Sequence, residues 1–149
     1  MANFTPTYSG YAQLGWHTIS TASLPSASYP LDESIYLTGS LTLYAIWTKK
    51  YYIIFDANGG KWSNRASTTK PCEAYYTKII YLGTEDAGDI TKLSRGGNTL
   101  SGWSDTSKTV RSYLPEARFE CPNRTTNLTM YAIWEKKSID KFYWYNNDT

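Results

Sequence analysis

What the chain has little of limits what it can do. It holds a single histidine, His17, and two cysteines, Cys72 and Cys121, in 149 residues. Nucleophilic catalysis needs a nucleophile, a base and an orienting acid held together. His17 stands in a Trp-His-Thr strand, and no Gly-x-Ser-x-Gly elbow accompanies it. His17, Cys72 and Cys121 also lack the paired spacing of a zinc site. Two cysteines define no disulfide framework and are read as incidental thiols. Asp32-Glu33, Glu85-Asp86 and Asp140 sit in loop-like surroundings with no apolar pocket to raise a carboxyl pKa, unlike the paired acids of glycosidases. Gly59-Gly60 and Gly96-Gly97 are isolated pairs, not a phosphate-cradling loop. No catalytic residue, metal ligand or cofactor site is expected, and the chain is read as a non-enzyme.

Charge and long apolar runs are equally scarce. Charged residues make up 19% and the net charge is +2, with Lys and Arg scattered rather than gathered in a basic stripe. That argues against a nucleic-acid surface. Lys49-Lys50 and Lys136-Lys137 read as solvated strand ends. No segment approaches the ~20 apolar residues of a membrane span. The opening Met-Ala-Asn-Phe-Thr-Pro-Thr has neither a basic start nor an apolar core, so it is not expected to be a signal peptide. What the chain has in quantity is aromatic side chains, 16% of the total, including fourteen Tyr and six Trp. These suit pleated, half-buried surfaces and favour strands.

The sequence contains one module twice. Gly15-Trp16 returns as Gly102-Trp103, and Leu41-Thr42-Leu43-Tyr44-Ala45-Ile46-Trp47 returns as Leu128-Thr129-Met130-Tyr131-Ala132-Ile133-Trp134, both 87 positions on. Gly10 and Lys49-Lys50 match Gly97 and Lys136-Lys137 at the same offset. Only the second copy has an opening strand, Tyr51-Tyr52-Ile53-Ile54-Phe55, followed by the turn-forming Asp56-Ala57-Asn58-Gly59-Gly60. The turn has the outline of a calcium loop, but Gly60 and Lys61 stand where a ligand and a glycine are required. Residues 1–48 therefore read as a partial unit lacking its first strand. Residues 49–137 read as a complete unit with an insertion at 61–97, and residues 138–149 as a tail or the start of a further element.

Strands are expected near residues 13–17, 40–47, 51–55, 77–82, 99–103, 127–134 and 141–145, with a short helix at either 70–76 or 107–114. In residues 41–47 both alternating faces are apolar, as in a central strand covered on both sides. The recurring Trp16, Trp47, Trp103 and Trp134 are read as core, with Gly15, Tyr44, Phe55, Gly59, Gly60, Gly102 and Tyr131 completing the motif. Trp62, Tyr143, Trp144 and Tyr145 have no counterpart in the repeat and are candidate contact residues. A flat aromatic face could stack on a sugar, which makes a glycan-binding module the alternative reading.

Phe55-Asp56-Ala57-Asn58-Gly59-Gly60, then Gly102-Trp103, then residues 128–134 resemble the Listeria–Bacteroides repeat, also called the internalin B-repeat. Residues 6–16 are similar to the middle of that repeat. The resemblance implies a mainly β (α+β) fold of small β-grasp-like modules in tandem, a mixed sheet with at most one short helix per unit. It also implies a structural or attachment role on a bacterial cell wall or phage virion, and brings no catalytic residues. The insertion between Gly60 and Gly97, and the tail, depart from the family pattern. The expected partners are other protein chains, by strand addition at the incomplete first unit, or a surface glycan. Neither nucleic acid nor membrane insertion is expected. The opening residues tilt the setting towards a phage particle.

Overall fold

The computed structural model of the chain describes residues 6–20, 29–31 and 34–138. Every regular element among them is a strand. They are β1 (Tyr11–His17), β2 (Tyr44–Lys49), β3 (Tyr51–Asp56), β4 (Lys61–Trp62), β5 (Thr69–Ala74), β6 (Ile79–Tyr81), β7 (Leu93–Ser94), β8 (Asn98–Ser104), β9 (Arg118–Glu120) and β10 (Leu128–Lys136). The main sheet has the order β5-β3-β10-β8, while β1-β2, β4-β7 and β6-β9 form two-stranded sheets. The mainly β expectation holds. The strand expected at residues 141–145 lies outside the described residues.

Neither expected helix forms, for two different reasons. Residues 69–74 are strand β5, where Pro71 removes a donor and disfavours helix. A proline is tolerated there because β5 is the edge of its sheet. In residues 104–113 side-chain hydroxyls take the backbone donors a helix would use. Ser104 Oγ accepts from the Thr106 and Ser107 amides, and Ser107 Oγ from the Thr109 and Val110 amides. The segment instead returns Tyr113 to bridge Trp103.

The chain divides into two compact units that do not follow the repeat boundary. The first comprises residues 1–53, 73–80 and 120–127; the second comprises residues 54–72, 81–119 and 128–149. The second is built around Trp103, Phe55, Leu82 and Met130, all fully buried. Trp103 meets Phe55 edge-on at 5.1 Å between ring centroids, a geometry that adds to the area each ring buries. The insertion contributes to this core directly. Trp62, Leu82, Ala87 and Leu93 are buried, and Gly88 has a positive φ that brings its backbone against the Phe55 ring.

In the first unit Tyr51 is buried, and its hydroxyl donates to the Pro122 carbonyl at 2.8 Å. Burial pushes this phenol up to about 12, with Cys121 adding to the rise and Arg124 opposing it. A folded-state value above the unfolded one, about 10, means that the native state holds the proton more tightly. The associated stability is fully present below pH 10 and is lost as pH climbs through about 12. Tyr51→Phe should therefore flatten the alkaline limb of stability. Urea unfolding of the two proteins between pH 8 and 12 checks this, and equal losses over that range would refute it.

Candidate functional site

The two copies of the module share a backbone frame. β1 pairs antiparallel with β2 as Tyr11↔Lys49 through His17↔Tyr44, and β8 with β10 as Asn98↔Lys136 through Ser104↔Tyr131. Every partner lies at the same 87-residue offset, and so does the irregularity that sets Gly15 opposite Ile46 and Gly102 opposite Ile133. The ladders end alike as well: Lys50 donates to the Gly10 carbonyl at 2.9 Å and Lys137 to the Gly97 carbonyl at 3.0 Å. Gly10 and Gly97 have φ of 80° and 71°, a conformation costly for other residues.

Each motif residue has a definite place in this frame. Trp16 and Trp103 exchange backbone hydrogen bonds with Tyr29 and Tyr113 respectively. Gly102 lies so close to the Tyr113 carbonyl that an added Cβ would be 2.0 Å from its oxygen. Trp134 donates its indole N–H to the Ala57 carbonyl at 2.8 Å, and Gly60 is packed against the same ring. Gly59 faces the Arg95 guanidinium, and Lys108 lies 5.2 Å from the Tyr131 ring centroid. Asn58, read only as turn chemistry, does more. It sits at φ 45° and its amide donates at 2.8 Å to both the Lys108 and Ala132 carbonyls, tying the turn to β10. An Asn before Gly-Gly was the available signal, but its distant acceptors leave no trace in the local sequence.

The copies differ where β3 has no equivalent. β10 is flanked by β8 and β3, whereas β2 is flanked by β1 alone among the described residues. The β8 ladder covers only Tyr131–Lys136, so Leu128, Thr129 and Met130 owe their strand pairing to β3. Their counterparts Leu41, Thr42 and Leu43 form no strand. The expected strand over residues 40–47 starts instead at Tyr44, because among the described residues the first part of it has nothing to pair with. Burial follows the same division: Leu128 is 7% exposed and Leu41 40%. Both apolar faces of this segment are covered in β10, as the alternation led one to expect, but not in β2.

An open groove of about 800 Å³ runs along the first unit beside Tyr8, Tyr11, Gln13, Trp47 and Lys50. Tyr8 packs on Tyr11 at 4.3 Å and on Trp47 at 5.7 Å between centroids. The counterparts Arg95, Asn98, Leu100, Trp134 and Lys137 line a groove of about 660 Å³ in the second unit. There the ring of Trp134 is capped by the turn after β3, while among the described residues the Trp47 indole has no acceptor.

The candidate contact residues fare differently. Trp62 is 3% exposed, pairs with Leu93 and donates its indole N–H to the Thr68 carbonyl. It is a core residue, which corrects its reading as a contact. Tyr143, Trp144 and Tyr145 lie outside the described residues. His17 accepts the Ile19 amide through Nδ1, a local turn contact. Asp56 accepts the Asn58 amide in the same way within its turn. Among the described residues no three His, Cys, Asp or Glu side chains gather as metal ligands, and Cys72 and Cys121 are buried thiols.

The sequence model of the Listeria–Bacteroides repeat domain matches residues 2–46 and 51–133, thus spanning the insertion and both copies of the motif up to their closing tryptophans. Repeats of this kind are typically found on bacterial surface proteins. No curated protein and no solved structure matches the chain.

Proposed function

The chain belongs to the Listeria–Bacteroides repeat family, and from that premise we propose that it is a non-catalytic module of a bacterial surface protein, serving as spacer and protein-contact element. The observation that carries this reading is the reuse of one strand-pair frame, bulge included, at a constant offset. Selection for a repeated scaffold preserves a frame; selection for chemistry would preserve a cluster of reactive side chains. The recurrent aromatic and glycine positions are occupied with packing and turns, which is what a load-carrying repeat asks of them.

A spacer must hold its shape under tension. Pulling the chain between reference domains by atomic force should give a discrete rupture for the second unit. Releasing the 51–133 stretch should add about 280 Å of contour, at ~3.4 Å per residue. Smooth extension without a rupture would overturn the spacer reading. The cell-wall setting is tested separately from the phage setting. An antibody to the chain should label intact bacteria, and labelling of purified virions alone would reverse the assignment.

A further inference from the structure

We propose that the edge of β2, which carries no strand among the described residues, is the acceptor for a strand donated by another polypeptide, and that the donor has the chemistry of β3 and its following turn. Such a donor is an extended aromatic and β-branched segment followed by Asp-x-Asn-Gly-Gly. The proposal goes beyond the spacer reading and does not depend on it. Its warrant is that the chain contains the completed form of the same frame. β10, held on β8 in the register that holds β2 on β1, carries β3 on its other side. Hydrogen bonds fix the sense of the pairing. The Tyr52 amide at the start of β3 donates to the Asn127 side chain just before β10, and beyond the end of β3 Ala57 and Asn58 bond Trp134 and Ala132. The two strands run the same way.

Three features of the first unit are what removal of such a strand would leave. Leu41, Thr42 and Leu43 are not paired as a strand. Leu41 and Tyr44 are each 40% exposed, though their counterparts are buried or half-buried. The Trp47 indole N–H lacks, among the described residues, the carbonyl that Ala57 offers Trp134. An unpaired strand edge is a template for addition, with backbone bonds giving affinity and alternate side chains giving selectivity. Here the selectivity is specific: the donor's turn must bring a carbonyl to the Trp47 indole and a glycine onto its ring. The protein's own β3 is not available, since β5 and β10 flank it.

The test uses the whole chain, isotope-labelled, titrated with a synthetic peptide of the residue 51–62 sequence bearing a solubilising lysine tail. The Trp47 indole N–H signal should shift, and the amides of Leu41, Thr42 and Leu43 should exchange at least ten-fold more slowly, with the Trp134 indole unchanged. The same peptide carrying Gly60→Val should do neither, because a Cβ at that position stands 2.6 Å from the tryptophan ring in the completed unit. Absence of a shift at millimolar peptide, or equal shifts with both peptides, would overturn the proposal. So would amides at 41–43 that are protected in the chain alone and lose protection when residues 139–149 are deleted, since the chain would then be its own donor. The pulling experiment reads the second unit, so either result here leaves the spacer reading to be judged separately.

Discussion

Trp103→Ala is expected to remove about 3–5 kcal/mol of stability from the second unit, the range for truncating a fully buried large aromatic. Trp103 is 0% exposed, stands edge-on to Phe55, and donates its indole N–H to the Pro115 carbonyl at 3.1 Å. Truncation would leave a cavity beside Phe55 and strand the Pro115 acceptor, each a cost added to the lost burial. Small domains hold only about 5–15 kcal/mol in total, so the variant should lie near its unfolding midpoint at modest denaturant. Trp16→Ala, at the equivalent but only half-buried position, should cost clearly less. Urea denaturation followed by far-ultraviolet circular dichroism measures both. Equal losses would mean that the two tryptophans are packed alike.

Gly102→Ala should be nearly as damaging although it adds a single methyl group. That methyl would meet the Tyr113 carbonyl oxygen at 2.0 Å and the Arg111 side chain at 2.5 Å. The carbonyl is part of the Trp103–Tyr113 bridge, whose two bonds measure 2.8 and 2.9 Å, so relief of the clash must open the bridge. Overpacking costs about 1–3 kcal/mol and each backbone hydrogen bond about 1 kcal/mol net, for a combined loss of about 3–5 kcal/mol. Gly97→Ala is the informative control. Its φ is 71° but nothing lies within 4 Å of the added carbon, so the loss should be the left-handed penalty alone, about 1–2 kcal/mol. Hydrogen exchange at the Trp103 and Tyr113 amides should accelerate in the first variant and not in the second. Equal acceleration would place the cost of Gly102 in its dihedral angle rather than in its neighbour.

The strands were legible because their cause is local. Tyr51-Tyr52-Ile53-Ile54-Phe55 alternates inward and outward at a period of two, and the fold buries Tyr51, Ile53 and Phe55 as that alternation requires. The pairing frame was legible for a different reason: a duplicated sequence folded twice gives duplicated registers. What escaped the sequence depended on partners far along the chain. Residues 41–43 have strand composition but, among the described residues, no strand beside them. Trp62 looked like an outlying aromatic until Leu93 and the Thr68 carbonyl closed over it. Within the insertion β4 and β7 went unexpected because, at two residues each, they are too brief for a period to register. The helix expected at 107–114 failed because serine hydroxyls, which any composition scan counts as neutral, compete for the backbone donors there.

The bridge from Trp16 to Tyr29 and the bridge from Trp103 to Tyr113 close the same corner with different lengths of chain. Residues 17–28 lie between the partners in one copy and residues 104–112 in the other, three fewer. The frame has thus already accepted a change of length here without losing its register. For an engineer this corner is a grafting port, a site where an epitope or a binding peptide can be spliced between two fixed anchor points. The anchors are backbone hydrogen bonds, and a graft in the second copy should keep the Lys108 carbonyl that Asn58 binds and the Arg111 side chain beside Gly102.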